Sequence, residues 1–151
     1  MLYRRSMYRL VKRMVSTPEM EAFDAADRIA ACARRNHTNT PLAALTLMND
    51  VTFLEAARAL AQKALQEGGA TDEARLAYMA ARVLSRPLNE AEKAALLKVL
   101  ASQAKEMTPE RAKTLLAIGE WPRDEKLDPV AYANWMLVAS TLMNSDEAIS
   151  K

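Results

Sequence analysis

Glycine occurs only three times in this 151-residue chain, cysteine once and histidine once, and aromatic residues make up 5% of it. So few glycines leave little material for the tight turns of a sheet protein, and sparse β-branched residues argue the same way. The single cysteine, Cys32, excludes an intrachain disulfide. Set among Ile29, Ala30, Ala31 and Ala33, it is expected to be a buried, inert thiol. A nucleophilic cysteine would have only His37 as its base, and a metal site would have to draw on carboxylates or Cys32, at spacings that suggest none. A long apolar run is also missing. The chain opens on basic residues with no apolar stretch behind them, so neither a signal peptide nor a membrane span is expected.

What is present favours helix. Half the residues are hydrophobic, dominated by Ala, Leu and Met, which are strong helix formers. A chain of this length buries roughly 70% of its unfolded surface on folding, enough for one core without staples. The net charge of +2 does not imply a nucleic-acid partner. The charge is uneven, however. Arg4, Arg5, Arg9, Lys12 and Arg13 lie close together, and Arg28, Arg34 and Arg35 follow. A basic first third can bind an anionic polymer or lipid surface, but such a run is more often a solvated face.

Four dipeptides punctuate the chain: Thr17-Pro18, Thr40-Pro41, Thr108-Pro109 and Asp128-Pro129. Thr or Asp at an N-cap accepts a hydrogen bond from an otherwise orphaned backbone N–H. Proline at the next position has no N–H to leave unsatisfied, and its φ already suits a helix. Asp50, Thr71 and Asn89 are further caps, Asn89 with Glu92 as a capping-box variant. Gly68-Gly69 and Gly119 fall where helix stops are expected.

Periodicity agrees with this punctuation. After Asp50, Phe53, Leu54, Ala57, Leu60, Ala61, Ala64 and Leu65 share one face, while Arg58, Gln62, Lys63 and Glu67 fall largely on the other. Similar patterns follow Thr71, Asn89 and Thr108. The segment from Pro129 is apolar nearly all round, as a bundle's central helix is. There, Asn134 and Thr141, a heptad apart, either fix register inside the core or face a neighbouring domain. In the first third, residues 19–35 read as a helix interrupted near Asp27, and residues 3–14 as a helix or an extended arm. The expected fold is a single all-α domain over residues 1–151, a compact irregular bundle of about six to eight helices.

One stretch is more specific than these patterns. Arg34-Arg35, Thr38-Asn39-Thr40-Pro41-Leu42, Ala44-Leu45 and Asn49-Asp50 with Phe53 form a continuous signature. It resembles the planctomycete-specific domain of unknown function found at the C-terminus of bacterial proteins that carry c-type cytochrome domains. Other segments carry the same resemblance: Arg4-Arg5-Ser6 with Tyr8, Lys12 and Arg13; Phe23-Asp24-Ala25 with Arg28 and Cys32; Arg86-Pro87 with Glu92; Gly119-Glu120 with Pro122-Arg123-Asp124; and Trp135 through Asn144 to Asp146-Glu147. The chain departs from the family pattern at Leu10 and Val11, where bulkier aromatics are usual, at Ala26 in place of Pro, and at Ala43 in place of Gln. The resemblance implies the C-terminal part of a larger extracytoplasmic protein, whose partners are the preceding domains and a c-type cytochrome. This chain has no Cys-x-x-Cys-His stretch, so any haem belongs to a neighbour and no cofactor is expected here.

No acid–base or nucleophile constellation is recognisable, so the leading expectation is a non-catalytic helical structural or interaction module. The alternative is part of a carbohydrate- or anion-binding site, catalytic or not, around residues 38–50. There Arg35, Asn39, Asn49 and Asp50 offer a guanidinium, amides and a carboxylate, although such residues also cap helices and brace loops. Arg123 and Asp124 are a second candidate, read either as a second site or exposed interaction loop or as an ion pair anchoring the loop before the last helix, beside Trp121 as an exposed aromatic.

Overall fold

The computed structural model describes residue 8 and residues 16–26, 31–34 and 38–149. Within these residues the regular elements are α-helices: α1 (Pro18–Ala22), α2 (Pro41–Asn49), α3 (Val51–Glu67), α4 (Asp72–Val83), α5 (Glu90–Glu106), α6 (Pro109–Leu116), α7 (Pro129–Met143) and α8 (Asp146–Ile149). No strand occurs among them.

The punctuation read from the sequence marks the helix starts. The side chains of Thr40, Thr71, Thr108 and Asp128 each accept the backbone N–H three residues on, and Asp50 accepts from Thr52. Asn89 and Glu92 complete the reciprocal capping box. Thr17 is the exception. It stands at the N-cap of α1, but its hydroxyl makes no cap bond and is buried without a hydrogen-bond partner among the described residues. That start rests on Pro18 and on the Thr17 carbonyl, which accepts the Glu21 N–H.

The expected helix over residues 19–35 stops much earlier, at Ala22. Asp24 adopts a left-handed φ of 51°, and the Ala25 N–H reaches back to the Met20 carbonyl at 2.8 Å, as in a Schellman stop, with Asp where Gly is usual. Consequently Cys32 is not buried. The described residues around it are non-helical, and its thiol is exposed, donating to the Arg34 carbonyl at 3.2 Å. The reading of residues 3–14 falls outside the described residues.

Helix α7 is the centre of the bundle. Tyr132, Ala133, Trp135, Met136, Val138, Ala139 and Leu142 are all buried, as expected of a helix that is apolar all round. Its broadest packing is against α3, which presents Ala57, Ala61 and Ala64, all fully buried. Side chains that small let two helices approach closely. Helices α5 and α6 also pack on α7, α4 spans α3, α5 and α7, and α2 joins at the start of α3. Leu76 and Met79 of α4 fill the space between these layers and are fully buried.

Candidate functional site

The longest specific stretch folds into a helical corner. Thr40 caps α2 and Asp50 both ends α2 and caps α3. Asn49 turns its amide onto its own helix, donating to the Leu45 carbonyl at 2.9 Å. Asn39 donates to the Asp146 carboxylate at 2.6 Å, across 107 positions of sequence. Thr38 donates through both its backbone N–H and its hydroxyl to Asp24, each at 2.7 Å. Ala43 is fully buried under α2. Arg35, like His37, Arg28 and the basic residues 4–13, lies outside the described residues.

Other segments of the resemblance meet one another in the same way. Phe23 packs edge-on against Phe53, with ring centroids 5.6 Å apart. Arg86 donates through Nε to both carboxylate oxygens of Glu147 at 3.0 Å and through Nη2 to Glu92 at 2.7 Å. The Arg86 guanidinium, with the Asn89 backbone N–H second, holds the Glu92 carboxyl down at about 2. The same contacts raise Arg86 above the ordinary guanidinium value, the bond to Glu92 being the largest cause. These charges are partly solvated, so their role is orientation more than stability.

The strongest polar arrangement was not visible as a site in the sequence. Glu55, Arg58, Gln62 and Gln66 lie along one side of α3 and hold the connection between α6 and α7. Arg58, only 2% exposed, donates to the carbonyls of Leu116 and Trp121, both at 2.6 Å. Glu55 lies 3.4 Å from the same guanidinium and accepts the Trp121 backbone N–H. Gln62 accepts from the Asp124 N–H at 3.1 Å and from the Tyr132 hydroxyl at 3.0 Å. Gln66 donates to the Asp124 carboxylate at 2.8 Å. Arg58 and Gln62 were expected on the solvent side of α3. Lys63 and Glu67 are exposed there, but Arg58 is buried and Gln62 half-buried, because the incoming loop covers that flank with its own backbone groups. Spacing alone could have grouped residues 55, 58, 62 and 66 on one flank, but only the loop's path shows what they bind. Of the pair Arg123 and Asp124, Asp124 is the loop's anchor, through Gln62 and Gln66, while Arg123 is exposed. Trp121 is 49% exposed.

Two cavities can be described. A groove of about 600 Å³ is lined by Phe23, by apolar side chains of α2, α3, α4, α7 and α8, and by Arg82. A smaller one of about 260 Å³ lies beside Arg86, Glu92 and Glu147. Neither is lined by Asn39, Asn49, Asp50, Arg123 or Asp124. Among the described residues, no three or more His, Cys, Asp or Glu side chains come together as a metal-binding group, and no helix is long and apolar enough to cross a membrane.

Fold and site together define a helical-bundle domain whose polar side chains chiefly hold its own loops and helix ends. The chain belongs to the PSD1 family, a protein of unknown function (DUF1553), whose model matches residues 1–100. No curated protein and no solved structure matches it.

Proposed function

We propose that this domain is a non-catalytic helical module that packs against a neighbouring protein domain, and that α2 is the face it presents. One observation carries the reading. Leu42, Leu45, Met48 and, just beyond the helix, Val51 are between 53% and 62% exposed, and α2 bears no charged residue. Its polar side chains are bonded back onto their own helix: Thr46 donates to the Leu42 carbonyl and Asn49 to the Leu45 carbonyl, both at 2.9 Å. Scattered surface leucines are ordinary, but a whole uncharged helix face is the composition of an interface core. The partner that fits is an apolar, uncharged protein surface. The resemblance carried by residues 34–53 suggests where it lies: in the preceding domains of an extracytoplasmic protein that carries a c-type cytochrome, with no cofactor in this chain.

The test is a titration of the purified domain with the separately produced preceding domains of its parent protein. Binding that weakens at least tenfold with Leu45→Glu, while the far-ultraviolet circular dichroism is unchanged, supports the reading. Binding insensitive to Leu42→Glu and Leu45→Glu, or none at all, refutes it.

A further inference from the structure

Helix α8 has no buried residue, yet it forms one wall of the apolar groove through Ala148 and Ile149, opposite Phe53, Leu60, Val83 and Met143. Ala148 packs on the edge of the core, and polar contacts to two different parts of the fold add to that hold. Asp146 accepts from Asn39, at the entry to α2. Glu147 accepts from Arg86, at the corner between α4 and α5. We propose that α8 is a releasable latch over the groove, pinned at Asn39 and Arg86, and that it opens while the rest of the bundle stays folded.

The argument is one of unequal anchoring. Helix α7, next to α8 in sequence, is held by buried apolar surface along its length, so it leaves its place only with global unfolding. The Arg86 and Glu147 side chains are 36% and 40% exposed, and partly solvated ion pairs resist separation weakly. Segments with few buried contacts and solvated hydrogen bonds open at the low end of a protein's range of local stabilities. Arg86 remains held by Glu92 when Glu147 departs, so release leaves a paired guanidinium at the corner, and the capping box of α5 stays intact. Opening removes Ala148 and Ile149 from the groove and exposes the apolar side chains behind them.

Asn39→Ala and Glu147→Gln each remove one pin without touching the capping box. In the full chain we expect each to raise the binding of an apolar dye such as anilinonaphthalene sulfonate several-fold. Hydrogen exchange at Ala148 and Ile149 should rise about two- to fivefold per pin, with the two factors multiplying in the double variant, while exchange at the amides of residues 135–139 stays unchanged. The latch is overturned if dye binding and exchange at Ala148 and Ile149 are unchanged in both variants. It is equally overturned if the amides of α7 accelerate in step with α8, since α8 would then be a brace of the whole fold.

Discussion

Arg58 donates through Nη1 to the carbonyl of Leu116 at 2.6 Å, and Leu116 is the last residue of α6. A guanidinium from the middle of α3 thus closes the C-terminal end of another helix, where a positive charge complements the dipole. Its second branch holds Trp121, five positions further along. One planar fork thereby fixes both the end of α6 and the turn that leads into α7, a geometry that suits arginine and not the compact ammonium of lysine.

Arg58→Met should therefore destabilise the domain by about 3–5 kcal/mol, the usual cost of leaving a buried charge such as Glu55 without its partner. Arg58→Lys should also lose stability, since one ammonium cannot reach both carbonyls in the same way. Urea unfolding measures both. If Arg58→Met stays within about 0.5 kcal/mol of wild type, the range of an ordinary surface change, Arg58 does not hold the loop.

Gly119 makes the same point from the loop's side. Its φ is +88°, and a Cβ there would lie 2.5 Å from Glu55 Oε1. Gly119→Ala should cost about 2 kcal/mol or more, from the strained backbone and the displaced carboxylate together. Thermal unfolding of this variant beside Glu55→Ala and the double variant Glu55→Ala/Gly119→Ala checks the coupling. Strictly additive losses would contradict a direct contact.

The Glu92 carboxyl lies at about 2 when folded, against an ordinary 4.5. A depressed carboxyl contributes stability that is present in full above the unfolded value and lost as pH falls toward the folded one. The stability gap between wild type and Glu92→Gln should therefore be constant above pH 5 and shrink between about pH 4.5 and 2. Urea titrations across that range measure it, and a gap that does not vary with pH would show that Glu92 is not held by Arg86.

On α7, Asn134 is buried at 5% exposure, and its Oδ1 has no hydrogen-bond partner among the described residues. Thr141 is exposed and donates to its own helix at the Leu137 carbonyl, so the two heptad-related polar residues do not share one core position. Leaving a buried acceptor unsatisfied costs about 1–3 kcal/mol. Asn134→Leu should raise stability by about 1 kcal/mol, read as a higher urea midpoint at unchanged m-value. A drop in stability would mean that the amide has a structural partner.

How much of this was legible follows from the range of each interaction. Capping is local, so Thr40, Asp50, Thr71, Asn89, Thr108 and Asp128 announced their helices within three residues of sequence. The apolar sweep of α7 likewise identified the central helix without knowledge of its neighbours. Misreadings came where a distant segment, or one residue's φ, decided the outcome. Arg58 reads as solvent-facing until the loop at Leu116 and Trp121 is laid against it, about 60 positions away. The end of α1 turned on the left-handed Asp24, which looks like any helix-compatible acid in sequence. In the candidate site, the roles of Thr40 and Asp50 were local and readable. The partners of Thr38 and Asn39, which are Asp24 and Asp146, were not. The small helix α8 carries no apolar periodicity and was found only in the structure.

The claim that matters most for function is that polar side chains in residues 38–50 serve the fold while the apolar face of α2 serves a partner. Titration of the domain with the preceding domains proposed as its partner, run in parallel for wild type, Leu45→Glu and Asn49→Ala, separates these roles most directly. The account predicts at least a tenfold loss of affinity for Leu45→Glu and an affinity within about twofold of wild type for Asn49→Ala, because the Asn49 amide is bonded to its own helix. Binding that survives Leu45→Glu but is lost in Asn49→Ala would contradict it.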